Sequence, residues 1–118
     1  MKKETSKQKT EIRLVASETP WGKAQLAQEI GPGIIRYSTA SHGGYYLYPA
    51  TNAKVPPVLK QSTCGGLGLQ GWYEEDCDWA IVVYTFKDYF NEEDFATAVK
   101  TLEIHHKQAW TRLQRKTK

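Results

Sequence analysis

The amino-acid sequence predicts an α+β domain in which a small antiparallel sheet of about three strands packs against two C-terminal helices. Three observations carry that expectation. Two β-rich segments, IIRYST at 34–39 and YYLY at 45–48, flank ASHGG, whose small and conformationally permissive residues suit a hairpin connection. From Phe95 onward apolar residues recur at helical intervals. With 118 residues, 40% hydrophobic and 25% charged, the chain reads as a single domain. A chain of this size buries roughly two thirds of its unfolded surface without obligatory metal or disulfides. A multidomain enzyme is not expected.

The first ten residues, polar or charged after Met1, form an expected disordered basic tail, because nothing in them offsets the entropy of ordering. The globular domain is expected over 11–113, with 114–118 as a second basic tail. In EIRLVASE (11–18) Ile12 and Leu14 alternate with Arg13 and Val15, which predicts a strand. TPWGKAQLAQEIG (19–31) predicts a short helix: Thr19 can cap, Pro20 suits the first position, and Gly31 terminates. The hairpin of 34–39 and 45–48 follows. A helical turn is expected from Pro56 or Pro57, and QSTCGGLGLQG (61–71), rich in glycine, is expected to cross the surface near the site. From Asp78 the set Trp79, Val82, Val83, Phe86, Tyr89 and Phe90 fits one helical face, with Glu74, Glu75 and Asp76 crowding its start. The rival for 78–90 is a strand, since AIVVYTF has high β propensity. Asn91 then caps a last helix whose buried face is Phe95, Val99, Leu102, His106, Trp110 and Leu113.

The net charge of +3 is unevenly distributed. The ten N-terminal residues carry +3 and residues 107–118 carry +5, so the body between them is acidic at −5. Basic tails can attract phosphate or an acidic surface, and they also serve solubility alone. No apolar run reaches the roughly 20 residues of a membrane-spanning helix, so no membrane partner and a cytoplasmic location are expected. Cys64 and Cys77 are too few for a disulfide framework or a four-thiolate zinc site.

Three segments, TPWGKAQ at 19–25, STASHGGYYL at 38–47 and GWYEEDCDWAIV at 71–82, resemble an uncharacterised family of bacteria, phages and mobile elements, domain of unknown function 7007. The resemblance spans residues 19–110, and its His-Gly-Gly and Trp-Tyr-Glu-Glu-Asp strings carry most of it. It implies a mobile-element setting, in which DNA-handling and anti-defence proteins are frequent, and no particular activity.

His42, ahead of Gly43 and Gly44, is a candidate catalytic base or metal ligand, or else a residue that holds its turn in shape. Glu74, Glu75, Asp76 and Asp78 crowd four carboxylates around Cys77. One or two acids satisfy a helix start; four repel one another and invite a cation, His42 or Arg36 as neutraliser. The candidate catalytic set is therefore His42, Glu75 and Asp76, with a divalent cation compatible with it but no ligand set assignable. Cys77 is better read as a packed thiol than as a nucleophile among carboxylates, and GGLGLQG lacks the lysine of a phosphate loop. His105 and His106, being adjacent on a helix, do not face one another and make no joint metal site.

Trp21, Gly43, Gly44, Tyr46, Trp72, Tyr73 and Glu74 are the candidate binding residues, since aromatics beside glycine can stack on a ligand or base as well as fill a core. Two function classes follow. The first is a small accessory protein of phage or mobile-element type that binds a protein or nucleic-acid partner, for instance against host defence. The second is a small hydrolytic or metal-assisted enzyme built on His42, Glu75 and Asp76.

Overall fold

A computed structural model describes residues 18–116. Its centre is a four-stranded antiparallel meander of β3 (Leu26–Gly31), β4 (Ile34–Ser38), β5 (Gly43–Leu47) and β6 (Trp72–Glu74), ordered along the sheet as in the chain. A two-residue ribbon, β1 (Glu18–Thr19) and β2 (Gly22–Lys23), precedes it. Two short helices, α1 (Pro49–Asn52) and α2 (Pro57–Gln61), and a 3₁₀ segment over Cys64–Gln70 fill the long β5–β6 connection. After β6 come α3 (Trp79–Thr85), α4 (Glu92–His105) and α5 (Lys107–Lys116). The α+β class holds, with one more strand in the main sheet, a separate two-residue ribbon and one more C-terminal helix than the pattern suggests.

The hairpin of β4 and β5 forms as the sequence predicts, pairing Ile34 with Leu47 and Ser38 with Gly43. Proline starts α1 and α2, where its fixed φ suits the first turn. Asn91 caps α4 by accepting the Asp94 N–H at 2.7 Å.

Residues 19–31 are not a helix. Thr19 and Gly22 close a tight turn, with Thr19 Oγ1 donating to the Gly22 carbonyl at 2.7 Å and Gly22 at φ +125°, which no helix accommodates. Leu26–Gly31 then pairs along β4, from Leu26 opposite Ser38 to Gly31 opposite Ile34, with a bulge between Glu29 and Gly31. Backbone pairing and the burial of Ala27 beside Tyr37 outweigh a modest helix propensity.

Two further boundaries move. The helix expected over 78–90 is helical only over Trp79–Thr85; Phe86 leaves helical geometry and a single 3₁₀ turn covers Lys87–Tyr89. The last helix breaks at His106 (φ −129°, ψ 39°), so α4 and α5 are separate, and α5 runs on to Lys116. The strand expected over 11–18 lies outside the described residues except for Glu18, as does the tail over 1–10.

Alternation gives the sheet two different faces. Ile34, Leu47 and Tyr73 point to the helices and join Val55, Leu59, Ile81, Val82, Leu102 and Leu113 in the main core. Ala27, Ile35, Tyr37, Tyr46 and Trp72 occupy the opposite face in a second, smaller cluster with Ala24. The consecutive tyrosines separate accordingly: Tyr45 meets Phe90 edge-on at 5.9 Å on the helix side, and Tyr46 meets Trp72 at 4.6 Å on the other.

Candidate functional site

The two sequence motifs meet because β5 and β6 pair, with Gly44 opposite Glu74 and the Glu75 N–H donating to the Gly43 carbonyl at 3.0 Å. Both glycines are required by close approach. A Cβ at Gly44 would strike the Tyr73 carbonyl and stand 2.6 Å from the Trp21 ring; one at Gly43 would lie 2.8 Å from the Tyr37 carbonyl and 3.3 Å from Glu75 Oε1. The Gly-Gly pair thus lets the Trp21 ring settle on one side of β5 and the Glu75 carboxylate on the other.

His42 closes the β4–β5 turn through its backbone: its N–H donates to Thr39 Oγ1 at 3.0 Å, and its carbonyl accepts from the Thr39 N–H and hydroxyl, each at 2.7 Å. Its ring is more than half exposed. Nδ1 lies 3.6 Å from Glu75 Oε2, beyond hydrogen-bonding reach and within ion-pair range when the ring is protonated. Glu75 lines a cleft of about 290 Å³ with Arg36, Ser38, Gly43, Tyr45 and Trp79. Asp76 is exposed, and no contact joins it to His42.

The four carboxylates are divided among different tasks, and none lies in the first turn of α3. Glu74 Oε1 ties the turn after β6 by accepting the N–H groups of Cys77 at 2.6 Å and Asp78 at 3.0 Å. Partial burial pushes the Glu74 carboxyl up, but these N–H groups, with Asp76, outweigh burial and hold it below its ordinary value. Burial, with Glu74, Asp78 and Asp76 beside it, pushes the Cys77 thiol up, which suits a packed thiol and not a nucleophile. Tyr73, expected to bind, is fully buried; its hydroxyl donates to Asn52 Oδ1, and burial followed by the charge of Asp78 raises it. It cannot face a partner.

Asp78 and His106 form a constellation that sequence reasoning missed. Their side chains, each 3% exposed, approach at 3.3 Å between Oδ1 and Nε2. Asp78 Oδ2 accepts the Cys64 N–H at 2.9 Å, and His106 Nδ1 lies 2.9 Å from Ser62 Oγ. The Ser–His–Asp order resembles that of a nucleophile relay, but the Ser62 hydroxyl donates to the Leu59 carbonyl at 2.8 Å and so has no proton to pass to His106. The array fastens α2, the 3₁₀ segment and α3 to the α4–α5 break. The signal was present: His106 stands on the apolar face of its helix, and Asp78 is one acid more than a helix start needs. The glycine-rich 61–71 segment accordingly joins this buried array rather than the His42 corner.

Trp21, Tyr46 and Trp72 do come together. Trp72 meets Trp21 edge-on at 5.6 Å, Tyr46 at 4.6 Å and Tyr37 at 5.8 Å, and Tyr48, half exposed, extends the row beyond Tyr46. A second cleft of about 450 Å³, between Lys54 and Lys87 with Tyr84, Phe86 and Phe95, was not foreseen. Among the described residues no three His, Cys, Asp or Glu side chains converge to hold a metal ion, and no helix is long and apolar enough to cross a membrane.

These features define a small α+β domain with a meander sheet, an aromatic outer face and an open polar corner. The chain belongs to the family named Domain of unknown function (DUF7007), which it matches over residues 15–118. No curated protein and no solved structure matches it.

Proposed function

We propose that this protein is a binding module that engages a protein partner through the sheet face turned away from its helices. The observation behind this reading is the row of Trp21, Trp72, Tyr46 and Tyr48, four large aromatics in contact on one face, all of them at least partly open to solvent. Trp and Tyr are the side chains that most often anchor protein interfaces. Among the strand residues of that face none is a lysine or arginine, whereas Glu29 and Glu74 share it, which favours a protein over the phosphate backbone of a nucleic acid. The phage or mobile-element setting, an anti-defence role and a cytoplasmic location belong to the same proposal.

The test compares wild type with Tyr48→Ala and Trp72→Ala in affinity capture, followed by titration of the recovered protein in purified form. A partner held by wild type and lost by both folded variants is expected. A partner retained by both, or saturable binding of a single-stranded oligonucleotide in place of any protein, overturns the reading.

A second reading, a hydrolytic or metal-assisted enzyme, rests on the placement of His42 3.6 Å from Glu75, which lines a cleft. Its test is a panel of ester and phosphoester substrates on which His42→Ala abolishes any turnover.

A further inference from the structure

We propose that the cleft between β4 and the turn after β6 binds the zwitterion of a free α-amino acid, with Arg36 taking its carboxylate and Glu75 its ammonium. This inference concerns the opposite side of the sheet from the aromatic face and does not rest on the partner-binding reading.

Arg36, Ser38, Gly43, Tyr45 and Glu75 share one side of the sheet corner, since Arg36 pairs with Tyr45, Ser38 with Gly43, and Glu75 bonds to Gly43. Arg36 and Glu75 therefore stand at two ends of one cleft, with opposite charge. No ion pair joins them, and Arg36 makes none with any described residue, although a guanidinium and a carboxylate that share a cleft ordinarily seek partners. Each charge is exposed and so keeps its hydration until a ligand replaces it. A molecule carrying both charges a short distance apart satisfies the two ends together; a simple anion or a simple cation leaves one end facing an unlike neighbour.

The floor and walls are equally particular. Gly43 leaves the floor bare where a Cβ would crowd Glu75 Oε1 at 3.3 Å. Tyr45 and Trp79 form apolar walls beside it. The volume of about 290 Å³ lies at the lower edge of the roughly 300–1,000 Å³ typical of drug-sized ligands, which suits a single amino acid and not a peptide. The guanidinium fork of Arg36 matches a carboxylate in two parallel hydrogen bonds, and Ser38, opposite Gly43, adds a hydroxyl at the Glu75 end. Of the neighbouring charges, His42 stands beside Glu75, and the charges of Arg36 and Asp94 both reach the Tyr45 hydroxyl, Arg36 lowering it and Asp94 raising it against a larger rise from burial.

The experiment titrates the full chain with glycine, L-leucine, L-phenylalanine and L-lysine, following the backbone amide of Gly43 and the indole N–H of Trp79 by NMR. Isopentylamine and 4-methylpentanoate, which carry one half of the leucine head group each, are the controls. At least one amino acid is expected to saturate in the millimolar range while neither control does, and Arg36→Gln and Glu75→Gln are each expected to weaken it by about tenfold or more. Both substituted residues are exposed, so both variants are expected to melt with the wild type. Absence of saturation by every member of the panel overturns the proposal, as does binding that either control reproduces or that survives both substitutions.

Discussion

Asp78 and His106 meet at 3.3 Å inside the protein, each side chain 3% exposed, and this contact joins the start of α3 to the break between α4 and α5. The approach lies within ion-pair range when the ring is protonated and is not a well-formed hydrogen bond, because Nε2 has no aligned acceptor. Two other bonds hold the pair in place, from the Cys64 N–H to Asp78 and between His106 Nδ1 and Ser62. Removing either partner leaves the other buried without its counterpart, so Asp78→Ala and His106→Ala are each expected to lose about 3–5 kcal/mol of stability. Their double variant should lose less than the sum. Urea denaturation of the three proteins measures this, and additive losses would show that the two groups are not coupled.

Glu74 makes stability depend on pH on the acid side. Its carboxyl is held below its ordinary value in the folded protein, so its contribution is fully present above the unfolded value of about 4.3 and is lost as pH falls through the folded one. Glu74→Gln should be less stable than wild type near neutrality and should lose stability less steeply on acidification. Urea midpoints measured from about pH 6 to about pH 3 check the slope, and parallel curves would remove the charge of Glu74 from the account.

Gly44 lies between the Trp21 ring and the Tyr73 carbonyl with no room for a methyl group. Gly44→Ala is expected to cost about 1–3 kcal/mol by overpacking. Because the displaced group is the Trp21 ring, the near-ultraviolet circular dichroism should change along with the melting temperature. Gly65→Ala meets nothing within 4 Å, and its cost should come from the left-handed backbone alone, without that spectral change.

His42 bonds through its backbone to Thr39 and presents its ring to solvent. His42→Ala should therefore change stability by no more than about 0.5 kcal/mol, since the exposed contact with Glu75 is weak and the turn bonds survive. Thr39→Ala, which removes the hydroxyl on both sides of that turn, should cost more. A fall of several degrees in the melting temperature of His42→Ala would instead make the ring a structural clip.

How much of this was legible in the sequence depends on the range of the interactions involved. The β4–β5 hairpin, the helical turn that starts at Pro57 and the Asn91 cap of α4 are set within a few residues, and each forms where local chemistry places it, whereas α1, which starts at Pro49, falls in a stretch that reads as a loop. The same is true of the union of the His-Gly-Gly and Trp-Tyr-Glu strings only as motifs; that they pair as neighbouring strands could not be read from either. Residues 26–31 carry a weak helical pattern, and pairing with β4 makes them a strand, because satisfied backbone groups and a buried Ala27 outweigh a propensity of a few tenths of a kcal/mol per residue. The acids at 74–78 present one cluster in sequence and separate duties in space: Glu74 ties a turn, Glu75 enters a cleft, Asp76 meets solvent and Asp78 is buried against His106.

What the sequence determined by itself is the α+β class, the hairpin, the capped helix and the residues among which a site had to lie. The tertiary structure alone decided which of those residues share a surface. Local preferences are fixed by each residue's own backbone and nearest neighbours, whereas burial, ion pairing and strand partnership depend on groups brought together from distant parts of the chain.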